Sequence, residues 1–259
     1  MAEFSLSGKI AIITGASKGI GRAIALAFAA AGGTVVLAAR KPDALDRAAE
    51  ELTRSGAAAL GVSTDVSDPD QVSRLVERTV EAFGTVDILV NNAGAAPFLA
   101  PFEEIRLDGF EKYFRVNFMG AVHCTRAVGP ILLAKRSGCV LNISSVAAFV
   151  ASPGLAYYAS AKAALIGFTK TVAGEWASAG VRVNALAPGW IETEMNEGAR
   201  AIDEFHSSVV RSIPLGRWGS AEEVAAAALF LCSPAASFIT GAVLVVDGGQ
   251  TVSNLGAGS

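Results

Sequence analysis

The sequence predicts an α/β fold in a single domain: one parallel sheet with helices on both faces. Seven short runs, most of them rich in β-branched residues, alternate with longer helix-like stretches along the chain. Alternation of that kind gives parallel strands joined by right-handed crossovers. Most of the runs are apolar at successive positions, as expected of strands covered on both faces. The 259 residues, 52% of them apolar, are enough for one large core, and α/β domains of this length are commonly single. Residues 1–250 are read as that domain and 251–259 as a C-terminal tail.

The strand candidates are 9–14, 34–39, 58–63, 86–91, 138–144, 181–187 and 242–248. Between the first strand and the first helix lies "TGASKGIG" (14–21). Glycines there let the backbone approach a pyrophosphate, and the helix behind them offers free N–H groups and a positive dipole end. Gly32-Gly33 and Gly56 read as helix stops. Asp68-Pro69-Asp70-Gln71 reads as a capping box before "VSRLVERTVEAF". The segment 189–214, between the sixth strand and the last helix, begins where such sheets bind ligands and reads as a lid.

Several function classes drop out. A net charge of −3, with no run of Lys or Arg, argues against nucleic acid. The opening "MAEFSLSGKIAIITG" lacks a basic start and a cleavage site, so no signal peptide is expected. No apolar run approaches the roughly 20 residues of a membrane span. Three widely spaced cysteines suit reduced thiols in a cytoplasm. With only two histidines, His123 and His206, no His-rich metal centre is expected.

The reacting chemistry points to "AYYASAKAAL" (156–165). Positions four apart share a helix face and positions five apart do not. Tyr158, rather than Tyr157, therefore meets Lys162. A cation beside a phenol should lower its pKa from about 10 and make it a better-matched proton donor.

The glycines at 15, 19 and 21 follow the G-x-x-x-G-x-G spacing of the short-chain dehydrogenase/reductase family. The likeness continues with "NNAG" (91–94), Asn117 in "RVNFMG", "NISS" (142–145), Tyr158-x-x-x-Lys162 and "PGWIET" (188–193). Over residues 6 to 250 the chain resembles that family. The resemblance implies a seven-stranded doubly wound Rossmann sheet and an NAD(P)-dependent oxidoreductase.

It also implies catalytic roles for Ser145, Tyr158, Lys162 and Asn117. Ser145 would polarise a carbonyl oxygen and Tyr158 would deliver the proton. Lys162 would hold the nicotinamide ribose, and Asn117 a water linked to the lysine. Cofactor contacts implied in the same way are Gly15, Ser17, Lys18, Gly19, Ile20 and Gly21 in the turn, and Asp65 and Val66 after the third strand. Asn91, Asn92, Ala93 and Gly94 follow the fourth strand, and Pro188, Gly189, Ile191 and Thr193 the sixth.

Which nicotinamide is used depends on the end of the second strand. Ala39 stands where an acid would bind the ribose 2′-hydroxyl, and Arg40 follows. A guanidinium can hold a 2′-phosphate. Lys18, beside a helix N-terminus, is unfavourably placed unless an anion neutralises it. Together they point to NADPH over NADH. Asp43, after Pro42, reads as first-turn helix stabilisation.

For the substrate, Val146, Ala147, Leu155, Trp190, Met195 and the loop 95–104 are pocket candidates. They are mostly apolar, which favours a hydrophobic ketone or acyl chain. The chain also resembles the 3-oxoacyl-acyl-carrier-protein reductases. Of their basic carrier-docking positions, Arg136 is present, whereas Ala179 and Gly174 stand where basic residues are common. Polyol and sugar dehydrogenases of the same family are a further alternative. The family resemblance implies a homotetramer, for which apolar faces on 110–135 and 156–179 would suit. A cofactor-sensing binding protein need not have retained all four catalytic residues.

Overall fold

The computed structural model describes residues 2–95 and 98–252. Seven parallel strands form one sheet in the order β3-β2-β1-β4-β5-β6-β7. They are β1 (Ile10–Thr14), β2 (Thr34–Ala39), β3 (Ala59–Ser63), β4 (Ile88–Asn91), β5 (Gly138–Ile143), β6 (Val181–Pro188) and β7 (Val243–Val246). The strand order reverses between β1 and β4, which opens a crevice at the carboxyl ends of the strands.

Two buried layers explain the continuous apolar runs. Successive residues of one strand face opposite sides. Ile13 and Leu37 therefore pack with Ile24 and Phe28 of α1 (Gly19–Ala30) and Val224 and Leu231 of α9 (Ala221–Cys232). The adjacent Ile12 and Val36 pack with Leu75 of α3 (Pro69–Phe83), Val128 of α5 (Gly120–Lys135) and Val172 of α6 (Ala156–Trp176). α2 (Pro42–Arg54) covers the edge beside β3, with Leu45 and Leu52 inside and Asp43 in its first turn.

The start of α3 differs from the sequence expectation. Asp68 caps it by accepting from Asp70 N (2.9 Å) and Gln71 N (3.3 Å). The reciprocal arm is absent, because the Gln71 side chain accepts from Asp65 N and donates to Asp68 Oδ2. The Asp68 N–H is satisfied instead by Asp65 O at 3.1 Å. A full capping box stands at α9, between Ser220 and Glu223. Gly32 and Gly56 follow α1 and α2 with positive φ, as stops should.

The helix through Asn117 is not uniform. α4 (Leu107–Phe114) runs into a π turn over Arg115–Met119 before α5 begins. Segment 189–214 holds two short helices, α7 (Glu197–Arg200) and α8 (Asp203–Ser212). It is tied back by the bridge between Ile191 and Gly219. The expected tail is cut by the end of the description: Gln250–Val252 form a 3-10 turn, and 253–259 lie outside the described residues, as do Ala96 and Pro97 of the expected pocket loop.

Candidate active site

The site lies where β1, β4, β5 and β6 end. In the β1–α1 turn, Gly15 has φ +66°, and a Cβ there would stand 2.9 Å from Ala93 Cα. A Cβ on Gly21 would stand 2.4 Å from both Gly15 O and Asn92 Nδ2. Gly15 makes room for the Ala93 backbone and Gly21 for the Asn92 side chain and the Gly15 carbonyl, so their use is first of all internal packing. Thr14 locks the junction: its hydroxyl accepts from the N–H groups of Asn92 and Ala93, both at 3.0 Å. Asn92 Nδ2 donates to Thr14 O at 2.9 Å and Gly15 O at 3.2 Å.

Asn91, the last residue of β4, is buried. Its amide donates to Asn142 Oδ1 (2.8 Å) and Thr125 Oγ1 (3.0 Å), and Asn142 donates on to Thr169. Asn91 Nδ2 is therefore spent inside the protein, while its Oδ1 is buried without a partner. Asp65 also works locally, its Oδ1 accepting from Ser67 N and Oγ. Val66 is buried, and its carbonyl meets His123 Nδ1 at 3.0 Å. Among the described residues no group of three or more His, Cys, Asp or Glu could hold a metal ion.

The two tyrosines separate as helix geometry requires. Tyr157 is buried; its hydroxyl accepts from Phe98 N (2.7 Å) and donates to Phe98 O, while its ring stacks on Phe98 at 4.9 Å. It anchors the loop that begins at Phe98. Tyr158 is half-buried and turns to the other side, where Lys162 Nζ stands 5.7 Å from its ring centroid.

The lysine's electrostatic effect differs from the expectation. Burial pushes the Tyr158 phenol up, the Ser145 hydroxyl pulls it down, and Tyr157 adds a smaller upward push. Lys162, only 5% exposed, is itself driven down to about 8 by burial. Its ammonium donates to Ile143 O at 2.8 Å and lies over the ring rather than against the hydroxyl. In this arrangement Ser145 is the group that lowers the tyrosine.

Ser144 and Ser145 divide their work. Ser144 Oγ donates to Lys162 O at 2.9 Å and is confined to the interior. Ser145 Oγ accepts from Ala147 N at 3.2 Å and faces Tyr158. Asn117 is buried in the π turn, with Nδ2 on Tyr113 O at 3.0 Å. Its Oδ1 is buried without a partner, 2.7 Å from where a Cβ on Gly94 would be. A π turn re-aims one side chain out of the helical ladder, which is common at functional sites.

Around the mouth the apolar candidates are unequal. Met195 is exposed, while Val146 and Ala147 are buried behind Ser145 and Leu155 precedes α6. Trp190 packs edge-on against Trp218 (5.3 Å) and Phe205 (5.6 Å), forming a small core under segment 189–214. Phe98, Leu99, Phe102, Phe149 and Val150 are exposed as well. Phe149 and Val150 escaped the sequence analysis because nothing in "SSVAAFVAS" marks which residues turn outward.

A family model described as enoyl-(acyl carrier protein) reductase matches residues 15–251. The chain belongs to the short-chain dehydrogenase/reductase family. Its relatives in that oxidoreductase family differ in named substrate. A 3-oxoacyl-[acyl-carrier-protein] reductase from Synechocystis is 42% identical over 96% of this chain and 99% of its own length. Gluconate 5-dehydrogenase from Gluconobacter oxydans is 40% identical over 96% of this chain and 97% of its own. The crystal structure of a gluconate 5-dehydrogenase from Burkholderia cenocepacia, in complex with NADP and tartrate, superposes with TM-score 0.93 at 36% identity. It covers 97% of this chain and 98% of its own.

A short-chain dehydrogenase/reductase needs a seat for its dinucleotide, and the residues here fit one. α1 begins at Gly19 with no side-chain cap from Lys18, so its first N–H groups are open to an anion. Gly19 N in fact donates to a carboxylate, Glu194 Oε2, at 3.1 Å. Sequence analysis passed over Glu194, because an acid 175 positions away carries no local sign of this contact. Lys18 and Arg40 are exposed beside the turn. Thr193 N is held by Asn196 Oδ1 at 3.1 Å, Gly189 N donates to Val246 O, and Ile191 is buried. Lys162 has three N–H donors, of which the bond to Ile143 uses one.

Proposed function

We propose that this chain is an NADPH-dependent carbonyl reductase for hydrophobic ketones or β-keto esters. One observation carries the reading: Ser145 bonds to Tyr158, and the segments before and after these residues carry exposed Phe98, Leu99, Phe149 and Met195. NADPH, when bound, would supply the hydride. Ser145 donates to the substrate oxygen as charge builds on it, and Tyr158 gives that oxygen its proton. Ser145, which lowers the phenol, helps Tyr158 release that proton, while the N–H donors that Lys162 does not spend on Ile143 O are free to hold the nicotinamide ribose. Asn117 Oδ1, buried and unpartnered, is the acceptor for a water on the lysine side. Purified protein with NADPH and a graded ketone series tests this. Turnover that rises with apolar size supports it, and turnover confined to polyols or sugars overturns it.

NADPH preference rests on exposed Lys18 and Arg40 and on the absence of an acid at Ala39. Ala39→Asp with Arg40→Ala should weaken NADPH binding and favour NADH; a wild type that uses NADH better at equal concentration contradicts the assignment.

The second reading, a 3-oxoacyl-carrier-protein reductase, is favoured by the Synechocystis relative. Against it, Arg136 Nη2 is occupied by Ser178 O at 2.7 Å. Gly174 and Ala179 add no charge nearby, so steering of an acidic carrier is weak. Free ketones or β-keto esters should be reduced at least as efficiently as carrier-bound 3-oxoacyl groups. A large, salt-sensitive kcat/KM advantage for acetoacetyl-carrier protein would reverse the order of the two readings.

For the homotetramer that the family resemblance implies, the groove between α5 and α6, lined by Val122, Leu133, Phe168 and Trp176, offers an apolar face. Light scattering tests it. No helix among the described residues is long and apolar enough to cross a membrane.

A further inference from the structure

The start of a helix carries unsatisfied N–H groups and partial positive charge. At α1 this terminus is met by an acid from the distant segment 189–214. Gly19 N donates to Glu194 Oε2 at 3.1 Å. The acid is presented by a tight hook: Thr193 N donates to Asn196 Oδ1 (3.1 Å), and Asn196 Nδ2 donates back to Ile191 O (2.7 Å). Thr193 Cγ2 lies 3.4 Å from the position of a Cβ on Gly19. A cavity of about 280 Å³ adjoins the contact, bounded by Gly19, Arg22, Thr193, Glu194, Arg200 and Ala221.

We propose that Glu194 is a built-in stand-in for a cofactor phosphate. In the cofactor-free enzyme its carboxylate occupies the α1 terminus and fastens segment 189–214 to it. On loading, the dinucleotide's diphosphate takes over the N–H group and Glu194 moves away. This rests on the cofactor assignment above, which places the diphosphate at the same terminus. Two anions cannot share one N–H group, because like charges about 4 Å apart repel even in high dielectric. Glu194 therefore sets cofactor affinity by competition, and its release frees the hook to rearrange over the bound nucleotide.

The test uses the full chain and the Glu194→Gln and Glu194→Ala variants, titrated with NADP⁺ by calorimetry. Competition predicts that Glu194→Ala binds NADP⁺ about 3- to 10-fold more tightly than wild type. Glu194→Gln, neutral but still an acceptor, should fall between them. Amide exchange over 191–200 should be faster in cofactor-free Glu194→Ala than in cofactor-free wild type, and the two should match at saturating NADP⁺. Variants that bind no tighter, or an exchange rate unchanged without cofactor, overturn the proposal. A wild type that fails to bind NADP⁺ removes the cofactor assignment and this inference together. Tighter binding by the variants without ketone turnover would sink the reductase reading and leave the role of Glu194 standing.

Discussion

Between Gly15 and Ala93 there is no room for a methyl group, whereas around Phe149 and Leu99 apolar side chains stand open. The proposed cofactor bank is backbone packed on backbone, fastened by Thr14 and Asn92. The proposed substrate bank is made of exposed side chains from separate segments, one of them anchored by Tyr157 on Phe98. The difference teaches where each property is encoded. Close packing allows few residue types, so the cofactor bank is written in motifs. An open rim tolerates many residues, so substrate choice has no motif.

The largest test lies between the two banks. Tyr158→Phe should lower kcat by about 10²-fold or more, since the proposed proton donor is gone. Tyr157→Phe should keep most of kcat and raise KM a few-fold, because it loosens Phe98 without touching the reacting atoms. Equal losses in kcat would erase the distinction between the neighbours.

Gly21→Ala should break the cofactor bank. The new Cβ meets backbone oxygen of Gly15, which cannot swing aside, so a loss of about 1–3 kcal/mol in unfolding free energy is expected. A denaturation midpoint equal to wild type would show that the turn adapts.

Lys162→Met should abolish reduction yet stabilise the fold at pH 7. Burial holds this lysine at about 8, against about 10.4 in an unfolded chain. Below both values the folded state carries a charge that burial disfavours. Between about pH 8 and 10 the unfolded state binds more protons, so wild-type stability rises with pH there. The methionine variant removes that slope. At pH 7 it should gain about 1–2 kcal/mol after loss of the bond to Ile143 O. Parallel melting-versus-pH curves for the two proteins would contradict the account.

The smallest effect belongs to the rim. Phe149→Ser should change stability by less than about 0.5 kcal/mol while reducing kcat/KM for bulky ketones a few-fold and sparing acetone. A uniform loss across substrates would mean that Phe149 supports the fold instead.

Much of this was legible beforehand, for identifiable reasons. All seven strands appear where apolar runs placed them; the central ones are buried on both faces, which leaves little freedom of composition, while the edge strands β3 and β7 are more open. Tyr158 was separable from Tyr157 by helical periodicity alone. Asn117 was identifiable by family resemblance, but its π turn was not, since one extra residue in a helix leaves no compositional trace. The sign of the Tyr158 shift was misjudged for a similar reason. Spacing brings a lysine near a phenol, but burial of both groups and the bond to Ile143 decide which charge dominates.

By itself, then, the sequence determined the α/β alternation, the glycine turn and the Tyr158–Lys162 face, all set by interactions within a few residues or by the two-sided burial of the central strands. The tertiary structure alone decided the long-range meetings. Cys139 and Cys232 are free thiols as expected, but only the packing brings their sulfurs, 93 positions apart in sequence, to 3.9 Å. Asn91 became a buried link to Asn142, and Glu194 arrived at Gly19. Each of these depends on how layers pack across the sheet, and no local propensity records which distant residue will occupy the other side.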